Sequence, residues 1–95
     1  MENRPKLLML KKSDNVAIAI RQIEAGETVS DTQEEVSLVA TEKIPFGFKI
    51  AICEILKGGV IYKYGEPIGK STEAISIGQL VHVHNIVGVR GRGDL

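Results

Sequence analysis

The sequence has no tryptophan, two tyrosines, two phenylalanines and a single cysteine. One cysteine closes no internal disulfide, so the core must hold without a covalent staple. Charge of one sign is missing as well: 12 lysines and arginines balance 12 aspartates and glutamates. That balance removes the electrostatic footprint of a nucleic-acid or anionic-membrane binder and favours contact with other protein, copies of the same chain included. Long apolar runs are also absent. "MENRPKLLML" at the N-terminus holds a run of four, far short of a signal-peptide core or a membrane span, and a cytoplasmic location is the expectation. No stretch of a dozen residues repeats apolar positions at i, i+3, i+4 and i+7, which excludes a long helix.

What is present suits one small globular domain. Hydrophobic residues make up 43% and charged residues 25% of 95 positions, enough for a modest core but short for an independent enzyme with a deep cleft. Six short runs read as strands: residues 6–10, 15–20, 35–40, 48–55, 59–64 and 79–89. They are rich in Val, Ile, Leu or Tyr and bounded by Gly, Pro, Asp or Asn. In "NVAIAI" the period is two, with Val16, Ile18 and Ile20 on one face and Ala17 and Ala19 on the other.

Ten glycines punctuate these runs. "IEAGETV" (23–29), "ILKGGVI" (55–61) and "ISIGQLV" (75–81) each place Ile first, Gly fourth and a β-branched residue seventh. This is the chemistry of a corner: a glycine free to take positive φ, then a new strand beginning. The unequal intervals exclude a solenoid. The unit reads as one turn used three times in a compact, bent β fold. "KYGEPIGKST" (63–72) crowds Gly65, Pro67 and Gly69 together and reads as a tight loop between two strands, while Pro45 and Gly47 introduce the strand at Lys49. Residues 1–6 and 88–95 read as tails around a domain at 7–87. The Arg-Gly-Asp at 92–94 in the second tail is read as coincidence.

Few residues offer chemistry. His82 and His84 stand at i and i+2 of the last run, so as a strand it turns both rings to one face and Val81 and Val83 to the core. Paired imidazoles serve as metal ligands or as acid and base near neutral pH. A catalytic metal needs about three protein ligands, and no spacing nominates a third, so solvent-facing strand histidines remain the plainer alternative. Cys53 reads as buried filler with nothing basic to stabilise a thiolate. Lys63 and Lys70 flank the Gly-Pro-Gly loop, placed either to meet a carboxylate or simply solvated.

In order, "DNVAIAI", "IEAGETV", "IPFGFKIAI", "VIYKYGEPIGKST", "ISIGQLVHVHN" and "RGRGDL" resemble the N-terminal region of altronate and galactarate dehydratases and the small subunit of sulfolactate sulfo-lyase. The resemblance covers roughly residues 7–95 and implies a SAF domain. The implied fold is a mainly β clip of short bent strands with glycine corners and at most short helical turns. It further implies the small subunit of a two-component sugar-acid dehydratase, removing water from a hydroxy acid. The large catalytic subunit would hold a divalent metal such as iron, with no cofactor in this chain alone. A stand-alone carbohydrate- or carboxylate-binding module and a sulfolactate sulfo-lyase small subunit are the alternatives. Matching the family's motifs nominates His82 and His84 as catalytic, with His84 the metal candidate. Asn85, Lys63, Tyr64, Gly65, Asp14 and Asn15 are nominated for substrate binding. Phe48 stands where relatives often have histidine, which points to a different substrate or a non-catalytic variant.

Overall fold

The computed structural model describes residues 5–9, 11–33 and 35–88. The described residues are all β, with nine short strands and no helix: β1 (Leu7–Leu8), β2 (Val16–Ala19), β3 (Thr28–Ser30), β4 (Ser37–Val39), β5 (Lys49–Ala51), β6 (Val60–Lys63), β7 (Glu66–Ser71), β8 (Leu80–Val81) and β9 (Ile86–Gly88). They form a four-stranded sheet in the order β1-β2-β5-β8, the hairpin β3-β4 and a three-stranded sheet β6-β7-β9, with every strand pairing antiparallel. This is the mainly β fold with glycine corners expected above. The expectations for residues 1–4 and 89–95, most of both tails, fall outside the described residues. Where the tail boundaries can be seen they move outward: Lys6 already bonds Ser30 and Ile20 through its backbone, and Gly88 closes β9.

The corner unit occurs four times, once more than the sequence reading found. The fourth copy is "IPFGFKI" (44–50), which also places Ile first, Gly fourth and a β-branched residue seventh. In each copy the residue after the glycine donates its N–H to the carbonyl three residues back: Glu27 to Glu24, Phe48 to Pro45, Gly59 to Leu56 and Gln79 to Ser76. The glycines take φ of 83° to 89°, the third-position conformation of a type II turn. The leading isoleucines bridge in pairs, Ile23 with Ile44 and Ile55 with Ile75.

Those pairs reveal a duplication. Gly26 donates to Ala40 as Gly58 does to Ser71, Gly47 to Ala19 as Gly78 to Ala51, and Ala19 to Phe48 as Ala51 to Gln79. The first half, β2-β3-β4, is therefore repeated by β5-β6-β7 at an offset of 31 or 32 residues. Each half has its own core. Ala17, Ala19, Ile23, Val29, Leu38, Ile44 and Ile50 fill the first, and Val16, Ala51, Ile55, Ile61, Ile75, Val81 and Ile86 the second. Strands β2 and β5 stand between the two cores and are covered on both faces, which explains the small alanines at 17, 19 and 51. Each fully buried isoleucine contributes about 1.5–3 kcal/mol.

Three sequence expectations are corrected. The run 79–89 is not one strand. It breaks at residues 82–85 into a turn between β8 and β9, so the two histidines share no strand face, and Val83 is exposed rather than in the core. Residues 66–71, read as loop, form the longest strand, because only Tyr64 and Gly65 are needed to turn the chain (φ 60° and 75°). Pro67 is tolerated there beside a register shift at Ile61/Tyr62. Cys53, read as buried, is exposed, since it lies two residues past the end of β5, in the bend that leaves the sheet.

The halves meet at Gly78. A Cβ there would lie 2.2 Å from the Val39 carbonyl oxygen, whereas nothing lies within 4 Å of one at Gly47. Gly47→Ala is expected to cost only the left-handed backbone strain, about 1–2 kcal/mol. Gly78→Ala adds a backbone collision and should leave the chain unfolded or far less stable in urea titration. Equal midpoints for the two variants would contradict this placement.

Candidate functional site

The nominated residues fall into two groups. In the first, the end of the loop preceding β2 grips the β6-β7 hairpin. Asp14 is buried, and its carboxylate accepts the backbone N–H of Tyr64 at 2.9 Å and of Gly65 at 2.7 Å, one on each oxygen. Asn15 acts as a piece of strand: its amide donates to the Val60 carbonyl and accepts from the Tyr62 N–H, both at 2.8 Å. Positive φ at a bulky residue such as Tyr64 is strained. The two charge-assisted bonds from Asp14 hold that strain in place. The Tyr64 ring is left exposed, with the Lys63 ammonium 5.4 Å from its centroid, within cation–π range.

The second group is the turn at 82–85. Asn85 is fully buried: its amide oxygen accepts the His82 N–H at 2.9 Å, its nitrogen donates to Leu80 O at 2.8 Å, and its backbone N–H reaches His82 O at 3.0 Å. The side chain thus closes the turn that presents the histidines. His82 is half-buried, its ring 4.7 Å from Phe48 and tilted by 47° to it. His84 stands exposed at the turn's apex. Phe48 is therefore a packing partner of His82. Among the described residues no three His, Cys, Asp or Glu side chains gather as a metal would require. Among the described residues the nominated side chains do not assemble a complete set of metal ligands.

Sequence reasoning missed Lys49. It sits on central strand β5, between Ile18 of β2 and Val81 of β8, and is only 8% exposed. Among the described residues it has no hydrogen-bond or ion-pair partner, and Lys6 with Glu27 is the ion pair found there. Burial lowers its pKa below the ordinary 10.5, and the positive charge of Lys63 lowers it further. Successive strand residues face opposite ways, so Lys49 lies across β5 from Phe48 and His82. No motif signalled this: a lysine opening a strand reads as an edge residue. A shallow depression of about 100 Å³ lined by Met9, Lys11, Lys12, Asp31, Gln33 and Glu35 contains none of the candidate residues.

The described residues thus form a small clip of interlocked glycine-cornered halves with a largely buried lysine and a turn bearing two histidines. Residues 5–88 match the model of the altronate/galactarate dehydratase SAF domain, and the chain belongs to that family. It is 41% identical over 78 residues to altronate dehydratase of Bacillus subtilis (strain 168), covering 82% of this chain and 15% of that one. Altronate dehydratase of Escherichia coli (strain K12) is 39% identical over 72 residues, 76% of this chain and 14% of that one. The subunit alpha of (2R)-sulfolactate sulfo-lyase from Chromohalobacter salexigens is 30% identical over 73 residues, 73% of this chain and 78% of that one. The chain therefore spans about a seventh of the dehydratases it matches, and most of one lyase subunit.

Two outcomes test the geometry. Asn85→Ala orphans the His82 N–H and the Leu80 carbonyl and should cost about 1–3 kcal/mol in denaturant unfolding. A change below 0.5 kcal/mol would mean the amide is not closing the turn, about the scatter of an ordinary surface substitution. Lys49, with its folded pKa lowered, binds its proton more weakly folded than unfolded. Its penalty is therefore fully present at neutral pH and fades as pH rises towards 10.5. Unfolding free energy of the wild type relative to Lys49→Met should rise across that alkaline range. A flat difference would show that burial does not perturb this lysine.

Proposed function

We propose that the chain is the small SAF subunit of a two-component lyase acting on a sugar acid or a related hydroxy acid, the altronate–galactarate type of dehydration being the leading activity. The observation that carries this reading is the similarity over 78% of a relative of similar size that is itself named a subunit. The dehydratases hold a similar segment as a small share of a much longer chain. Loss of water from such an acid needs a base for the α proton, an acid for the departing hydroxyl and cations for the carboxylate. On the described residues this chain offers part of that set: imidazoles at His82 and His84, and a lysine and tyrosine at Lys63 and Tyr64.

In this reading Asp14, Asn15, Gly65 and Asn85 build the two loops, and His84, Lys63 and Tyr64 face the substrate. The large partner subunit supplies the remaining groups and any divalent metal, to which His84 contributes at most one ligand. The cytoplasm is the proposed compartment; no helix of the described residues is long and apolar enough to cross a membrane. A sulfonate substrate, as the sulfo-lyase name implies for that relative, is the second reading, favoured by the same coverage of its subunit alpha.

The test is reconstitution with a large catalytic chain of the dehydratase type from the same source. Altronate or galactarate should be dehydrated by the mixture and by neither chain alone, and His84→Ala should reduce turnover at least about tenfold, the low end for a lost acid–base group. Full activity of the mixture carrying His84→Ala would remove the histidine from the mechanism. Sulfite release from sulfolactate without dehydration would select the second reading.

A further inference from the structure

We infer that the open edge of β4 is the surface on which a second copy of this chain pairs, antiparallel and about a two-fold axis through Ser37. Across the β3-β4 hairpin the Ala40 N–H bonds the Glu27 carbonyl, and the Asp31 N–H bonds the Val36 carbonyl. Antiparallel ladders alternate between bonded and non-bonded pairs. Leu38 therefore bonds towards β3, whereas Ser37 and Val39 turn their N–H groups, and Ser37 its carbonyl, to the other side. Among the described residues nothing bonds to these groups. Other edges are closed: Asn15 caps β6, Glu42 and Asn85 cap β8, and β1 covers the far side of β3. Strand β9 ends where the described residues end. β4 carries none of the charges, prolines or bulges that keep an exposed edge from pairing.

The duplication shows what such an edge accepts. At an offset of 31 residues, Leu38, Val39 and Ala40 correspond to Gly69, Lys70 and Ser71 of β7. There β9 lies antiparallel on the edge, with Val87 opposite Lys70. The first half has no such strand among the described residues, where β3 is the one partner of β4. Shape and charge select a second copy as the occupant. Beyond Val39 the edge is closed, because Thr41 donates to the Gly78 carbonyl and Gly78 lies against the carbonyl of Val39. The open stretch is therefore 35–39, and its midpoint is Ser37. With Ser37 opposite its own counterpart, each Ser37 N–H meets the other's carbonyl, and each Val39 N–H meets the Glu35 carbonyl of the other copy. Ser37–Val39 is uncharged, so like charges do not face each other at the axis. The two Glu35 residues stand about 13 Å apart along the strands, beyond a Debye length at physiological salt. Such a pairing closes after two copies, whereas β4 laid on β9 of another copy is head-to-tail and open-ended. It is built from the first half alone, while the Tyr64 hairpin and the histidine turn belong to the second.

Sedimentation equilibrium of the 95-residue chain from about 10 µM to about 1 mM should show a mass rising from 10.3 kDa towards twice that value. Amide exchange at Ser37 and Val39 should slow several-fold over the same range. Ser37→Pro removes an N–H that the hairpin ladder does not use and should leave a monomer at every concentration. Ser37→Lys keeps the N–H but sets two ammonium groups face to face, which should weaken the dimer about fivefold or more. Salt at about 1 M should recover most of that loss. Where Ser37→Pro fails to fold, Ser37→Lys decides. A single-chain mass throughout, with exchange at Ser37 and Val39 unchanged, overturns the pairing. A dimer that neither variant weakens overturns it also, placing the interface elsewhere. Protection already present in dilute monomer and lost on deleting residues 89–95 assigns the edge to the chain's own end instead. Protection that arises only in the reconstituted lyase mixture assigns it to the large subunit, again overturning the pairing. Dehydration by that mixture is scored separately, so this pairing and the proposed function fail independently.

Discussion

Two halves of similar chain pass so closely that a carbonyl oxygen of β4 occupies the space beside Gly78 where any other residue would carry its Cβ. That approach is reinforced by the Thr41 N–H and hydroxyl, both donated to the Gly78 carbonyl. Everything else in the molecule follows from this interlock. It sets β2 and β5 side by side between two small cores and places β8 on the far edge of β5. It also brings the β6-β7 hairpin of the second half against the entry to β2. Four turns of one design make the interlock possible, because each reverses the chain in four residues and leaves an isoleucine free to bridge its counterpart.

Strands of two to six residues leave many backbone groups without a ladder partner. Polar side chains take over that task. Asn15 substitutes for a strand residue between Val60 and Tyr62, Asn85 for the backbone of a turn, Asp14 for a strand at the hairpin tip. Asp31 does the same in the β3-β4 hairpin, accepting the Val36 N–H at 2.7 Å and the Gln33 N–H at 3.3 Å. These residues are buried or half-buried and their polar atoms are engaged. Several residues that a motif comparison nominates for substrate are thus the joints that present others: Asp14 presents Tyr64, and Asn85 presents the histidines.

Lys49 is the exception to this economy of satisfied groups. Every other buried polar residue among those described has its partners inside the chain, whereas this one has an apolar counterpart in the other half. The contrast between Ala17 and Lys49 separates what the clip requires from what has been added to it.

The sequence by itself determined the fold class, the corner design and the family. Those depend on local chemistry: β-branched runs of period two, glycine where φ is positive, and an ordered set of short motifs. Motif matching also drew attention to Asp14, Asn15, Tyr64 and Asn85, though not to the turns and strands that Asp14, Asn15 and Asn85 hold together. Only the tertiary structure decided that residues 82–85 leave the sheet, that Gly-Pro-Gly density conceals the longest strand, and that the corners pair into a duplication. In each case the deciding contact joins residues far apart in the chain. Asn85 must bury its amide against β8, β7 must find both β6 and β9, and Ile44 must find Ile23. Burial of Lys49 is of the same kind, since a lysine reads as exposed until strands from both sides close over its stem.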